Sequence, residues 1–465
     1  MENRPHLPMT IRSWRQMFAS FGKLSLISGA LIGQGFAADY YVLPESAGTG
    51  DGSSWDNAAK GSREAVASQL EMMQGGDHLY FGSGEYPSMA LTFTASGEEG
   101  NPIKVQGVDT GSGLPVAIGS FKKENPSKGP SFLKINEGAS YWTLDGFQIK
   151  NYKGVVYGRG KNIGLTFTNL EVTDCRIGIY LKGGGDVVNP DTNSHDIRIA
   201  DSSFIGFTKS AVRFEDGNYN ATVENVFADA GGEPYGKDPF HMAFFIPGHK
   251  KGKAYSPADD HHITFINCEA RNSHYDRGKK YWNGDGFATE RGTHDISFIN
   301  CRAFNSTDGG WDIKSDNAYL ENCIAMGNKR NIRIWGSAKL VNCVMAYSKH
   351  PGGTGGPSGL FLTGTAKVVV ENSTIVNNHG PQVHIEKPKD GCELIIRDSL
   401  IGWTGEEPKT LIRAGKAANV ELVETILFET GPQGPEFVGL VEDWDGSGDA
   451  FNNLDHGSEK GFNQE

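Results

Sequence analysis

Beyond the stretch "LSLISGALIG" near its start, the chain has no long apolar run, and even this one falls well short of the ~20 residues a spanning helix needs. A membrane span is not expected. There is no CxxC pair among Cys175, Cys268, Cys301, Cys323, Cys343 and Cys392, which argues against zinc-ribbon and thioredoxin-like redox sites. Positive charge is in deficit, with 44 Lys and Arg against 56 Asp and Glu and a formal net charge of −12. Such a balance argues against general nucleic-acid binding. Helix formers are not dominant either.

What fills the chain instead is Gly, 62 residues of 465 and close to twice the usual share, with Val, Ile, Phe, Thr and Asn. That composition suits many short strands joined by tight turns. The N-terminus has the pattern of an export signal: Arg12, Arg15 and Lys23, an apolar stretch, then a small-x-small site at Gly35-Phe36-Ala37. Residues 1–37 are therefore expected to be removed, leaving 38–465 as a single secreted or periplasmic domain with a net charge of about −15.

Internal periodicity is the main organising signal. A strand ending in Asn or Asp, usually followed by Cys or Ser, recurs at Asp201, Asn225, Asn267, Asn300, Asn322, Asn342, Asn372 and Asp398, at intervals of 20 to 42 residues. Segments such as "HDISFINCRAF" and "AKLVNCVMAY" alternate apolar with polar residues, so one face turns inward. A unit of twenty-odd residues without intervening helices predicts an all-β, right-handed parallel β-helix solenoid. In it the Asn residues form an amide ladder at a turn, and the repeating cysteines stack as small buried side chains. Residues 38–100 read as an N-terminal cap, with a short capping helix over 62–74 that buries Ala65, Leu70 and Met73. The polar stretch 445–465 reads as a trailing cap or a disordered tail.

Stacking the coils in register places Phe287 and Thr289, Trp311 and Ile313, and Ile332 and Ile334 inward. Asp312 and Arg333 then share one exposed column, with Lys314, Glu290 and Trp335 beside it. Asp285 and Gly309 both stand two residues before an inward aromatic, with Asp308 just ahead, so three carboxylates from two coils converge at one strand entrance. Each Asp alone has a common local explanation, hydrogen bonding within its own turn. A basic cluster of Arg277, Lys279, Lys280, Arg291, Lys329 and Arg330 surrounds them in an otherwise acidic protein, and Tyr281, Trp282 and Trp335 offer sugar-stacking faces.

The segment "NSHYDRGKKYWNGDGFATERGTHDISFINCRAFNSTDGGWDIKS" resembles the signature of the family-nine polysaccharide lyases, β-helix enzymes of pectate-lyase type, over Asn272–Gly336. The resemblance implies calcium ligation by Asp285, Asp308 and Asp312. Gly309 stands where the family has a further Asp, and Arg333 where it has its catalytic Lys. The substrate implied is an acidic, uronic-acid-containing polysaccharide, cut by calcium-assisted β-elimination.

The chemistry is coherent, because a hard cation neutralises the uronate carboxylate and so acidifies the C5 hydrogen for a nearby base. Arg333 by position and Lys314 by chemistry are the candidate bases, although a guanidinium essentially never gives up its proton. The one that is not the base grips a substrate carboxylate, with Lys279, Lys280, Trp282, Glu290, Arg291, Arg330 and Trp335 completing the binding surface. A glycoside hydrolase or uronate epimerase on the same scaffold is the enzymatic alternative, and a non-catalytic glycan-binding protein the other. The expected working form is a monomer.

Overall fold

The computed structural model describes residues 37–233, 238, 240–248, 259–405, 409–431 and 434–441, with side chains as far as 429. The expected export segment, apart from Ala37, and the expected tail at 445–465 lie outside the described residues. From Ala37 onward the chain is one compact unit. It is a right-handed parallel β-helix. Among the described residues its strands form a 25-stranded and a 12-stranded sheet, and no helix is long and apolar enough to cross a membrane.

The turn that repeats in the sequence explains why the coils close. Asn225, Asn267, Asn300, Asn322 and Asn342 all take positive φ, between 52° and 55°. Apart from Gly, Asn and Asp tolerate this left-handed conformation best, because their short polar side chains bond locally. Stacked at one corner, the amides bond in series. Asn267 donates to Asn225 at 3.0 Å, Asn300 to Asn267 at 3.1 Å, Asn322 to Asn300 at 3.0 Å and Asn342 to Asn322 at 2.7 Å. The next residue in four of these turns is a buried, unpaired cysteine: Cys268, Cys301, Cys323 or Cys343. Each thiol donates to backbone carbonyls, as Cys301 does to that of Phe265 at 3.4 Å.

Coil stacking starts earlier than the expected boundary near 100. The strand Asp39–Leu43 already pairs in parallel with His78–Phe81, which pairs with Ile103–Gly107. Between the first two lies the one α-helix of the described residues, Arg63–Met72. Ser62 caps it by accepting the Ala65 amide at 3.2 Å. Its buried face is Val66, Leu70 and Met73, while Ala65 is exposed. The i, i+4, i+7 spacing from Val66 sets that face, and Ala65 falls one residue off it. At the far end, Thr425–Gly431 and Gly434–Val441 pair antiparallel and so end the parallel stacking.

Five strands of the smaller sheet carry the residues of interest: β1 (His241–Ile246), β2 (Gly284–Thr289), β3 (Gly309–Ile313), β4 (Arg330–Ile334) and β5 (Ser358–Gly364). Phe244, Phe287 and Trp311 point inward and stack face to face, with ring centroids 4.7 and 4.9 Å apart. Ile332 and Leu360 continue the row and are fully buried. This packed row fixes the register of the strands, and with it the alignment of everything on the outer face.

Candidate active site

Register puts Ala288, Asp312, Arg333 and Phe361 in one outer column, because Ala288 pairs with Asp312, Asp312 with Arg333 and Arg333 with Phe361. The three acids do come together around Arg333. Its Nη1 lies 3.5 Å from Asp308 Oδ2 and its Nε 3.8 Å from Asp312 Oδ1. Asp285 joins from β2, its Oδ1 accepting the Gly309 amide at 2.7 Å. That contact also explains the glycine: a Cβ at 309 would stand 3.0 Å from Asp285 Oδ1 and 2.7 Å from the Trp311 carbonyl oxygen. A further carboxylate at this position has no room in the present arrangement.

The column is not exposed where the acids stand. Asp285 and Asp308 are 0% and Asp312 is 3% accessible. Asp312 lies under its neighbours, accepting from Lys314 Nζ at 2.9 Å and from the Trp335 indole at 2.7 Å. Asp308 accepts from the Tyr281 hydroxyl and faces the Arg330 guanidinium at 3.4 Å. Tyr281 in turn accepts from Arg330, and from Arg333 at 3.1 Å. Its place in the network was not legible in the sequence, where it read only as a stacking ring. The signal was its position four residues before Asp285, on the segment that folds over the acids.

The charges divide the carboxylates. Burial raises the Asp285 carboxyl well above its usual range, and the Asp308 and Asp312 charges add to this. Its Oδ2 is buried with no hydrogen-bond partner, so that burial is not offset there. Burial raises Asp308 too, opposed by Arg333 and reinforced by Asp312. Burial would also raise Asp312, but Lys314 and Arg333 outweigh it and hold Asp312 below the ordinary value. Tyr281 is pushed up by burial and by Asp308.

Both expected bases are held in their protonated form. Burial favours loss of the Lys314 proton, yet Asp312 and Glu290, 2.9 and 2.7 Å away, override it and raise its pKa. Burial acts on Arg333 in the same sense, and Asp312 and Asp308 override it likewise. Neither side chain is therefore poised to accept a proton, contrary to the roles their positions suggested.

The other expected residues divide into four groups. Arg330 is 5% accessible and serves Asp308 from below. Trp282 packs on the loop after β4, since a Cβ at Gly353 would stand 2.5 Å from its Cδ1. Lys329, from the basic cluster, is spent on that same loop, donating to the carbonyls of Gly352 and Thr354 at 3.2 and 2.7 Å. Arg291 is exposed and lies over the Trp335 ring, 5.4 Å from its centroid, while Glu290 holds Lys314. Lys279 and Lys280 stand exposed on the segment ahead of β2.

Calcium can be tested against the donors themselves. Asp308 is engaged by Arg330, Arg333 and Tyr281, and Asp312 by Lys314 and Trp335. Among the described residues, no three His, Cys, Asp or Glu side chains are placed to hold a metal together. As the side chains stand, the set does not fit a calcium ion.

No family model matches the chain, and no curated protein does. Among solved structures it is similar to pectate lyase Pel9A, at 14% identity and a TM-score of 0.34, over 85% of this chain and 78% of that one. It is also similar to the mannuronan C-5 epimerase AlgE6 A-module of Azotobacter vinelandii, at 15% identity and a TM-score of 0.50, over 78% and 93%. A third is the polygalacturonase of Erwinia carotovora ssp. carotovora, at 12% identity and a TM-score of 0.40, over 83% and 97%. The likeness shows the fold. It does not carry a reaction, since parallel β-helices serve several.

Proposed function

We propose that the protein is an exported, monomeric enzyme that cuts uronic-acid-containing polysaccharide by β-elimination on the outer face around Arg333. One observation carries this reading. The Arg333 guanidinium stands between Asp308, whose pKa burial raises, and Asp312, which Lys314 and Arg333 hold below the ordinary value, and it lies close to two aromatic rings. Its carbon lies 4.4 Å from the Trp335 ring centroid and 5.4 Å from that of Phe361, and its Nε has no hydrogen-bond partner.

A permanently charged guanidinium beside aromatic walls suits a sugar that bears a carboxylate. Pairing with Arg333 would neutralise that carboxylate and acidify the C5 hydrogen, the work the resemblance gave to a metal. Asp312, which keeps its negative charge, is then the proton acceptor. Tyr281, which keeps its proton, is the donor to the departing oxygen.

Hydrolysis is the second reading, favoured by the split between a raised Asp308 and a lowered Asp312 on either side of one guanidinium. Such a divergence is how paired carboxylates divide acid and base roles. Digestion of polygalacturonate, alginate and glycosaminoglycan chains, followed by ultraviolet absorbance and by reducing-end assay, separates the two. Elimination gives both signals, because it leaves an unsaturated uronate. Hydrolysis gives reducing ends without absorbance.

A further inference from the structure

The outer column that holds Asp312 runs the length of the smaller sheet. From Asp312 it passes through Ala288 and Phe245 to Arg213, Tyr180, Tyr157 and Lys134. Over its far part lies a groove of about 330 Å³, lined by Ser131, Lys134, Lys153, Tyr157, Arg176 and Tyr180 among others. Tyr157 and Tyr180 stand half-buried with ring centroids 5.3 Å apart, and Lys134 is exposed beside them. Tyr180 is held in place, its hydroxyl donating to Glu215 at 2.6 Å while Arg213 lies over its ring at 5.1 Å. Arg176 adds a second cation, its Nη2 3.0 Å from Asp238 and its buried Nε without a partner.

We propose that this groove is a distal subsite for the same acidic polysaccharide, which lies along the column and is cut near Arg333. The inference rests on the reading given above for that site. Two features select the ligand class. The pair of aromatic faces suits sugar rings, and Lys134 and Lys153 bring positive charge to the groove in a protein whose net charge is −12. Continuity selects the same chain, because one register column joins the groove to the acids. Four strand steps separate Tyr180 from Asp312, so a glycan must span ~19 Å to touch both. Longer chains are therefore held at two places and short ones at one.

The test compares the full chain with a Lys134→Glu/Tyr157→Ala double variant, in two measurements. Affinity electrophoresis in polygalacturonate, with dextran as the neutral control, reads binding. Cleavage of the polymer and of a uronate trisaccharide, too short to span the distance, reads turnover. The variant is expected to bind the polymer about tenfold more weakly. Its KM for the polymer rises to match, with kcat and trisaccharide cleavage unchanged, and Tyr157→Phe behaves as wild type. Equal polymer binding by wild type and double variant would overturn the subsite, as would equal retention of wild type by dextran. A wild type that binds polygalacturonate yet releases no product defeats the elimination reading instead, and the binding comparison still decides the subsite.

Discussion

At the scale of single side chains, Arg333 balances Asp308 and Asp312, and in the proposed reaction it also pairs with the substrate carboxylate. Arg333→Lys keeps the charge but loses the planar fork, so kcat/KM should fall ~10²-fold while the protein stays folded. Steady-state rates beside an unfolding curve check this. Asp285 offers a test by pH. Its folded-state pKa is raised, so the unfolded chain ionises first and the buried acid opposes folding once the pH exceeds ~4. Asp285→Asn keeps an acceptor for the Gly309 amide. It should stabilise the protein by ~1–3 kcal/mol at neutral pH and by nothing below the unfolded pKa. Denaturant unfolding at the two pH values measures the difference. Convergence of Asp285, Asp308 and Asp312 was legible from period and register, because both follow from the apolar pattern. The protonation states were not. They depend on which charges meet in three dimensions, and Tyr281 reaches the acids from a segment whose path no spacing specifies.

At the scale of elements, the Asn corner and the stacked rings hold the coils in register. Asn300→Ala removes one rung and two amide bonds and puts Ala at a φ of 55°. A loss of ~1–2 kcal/mol in urea unfolding is expected. Trp311→Ala opens the inward row beneath the acids and should cost ~3–5 kcal/mol. These elements were the most readable part of the chain, since a solenoid writes its geometry into the repeat. Exceptions came at the N-terminal end. The helix turned Val66 inward in place of Ala65, and the supposed cap proved to be coiled from Asp39 onward. The loop at Gly352–Thr354, clasped by Lys329 and Trp282, gave no sign in sequence of these contacts.

On the proposed reading, the molecule is an acidic solenoid with one outer column along which an acidic glycan would be bound and cut. Because cations already neutralise the carboxylates at its centre, product formation should be the same with added calcium and with chelator. A reaction abolished by chelator would contradict this metal-free reading. The central claim is elimination of a uronate, and the most direct measurement is ultraviolet-monitored digestion of the uronan panel with reducing ends counted in parallel. Absorbance is expected to grow in step with reducing ends on at least one polymer, and Arg333→Lys to slow both together. Reducing ends that accumulate while absorbance stays flat would contradict that claim and assign the cleft to hydrolysis.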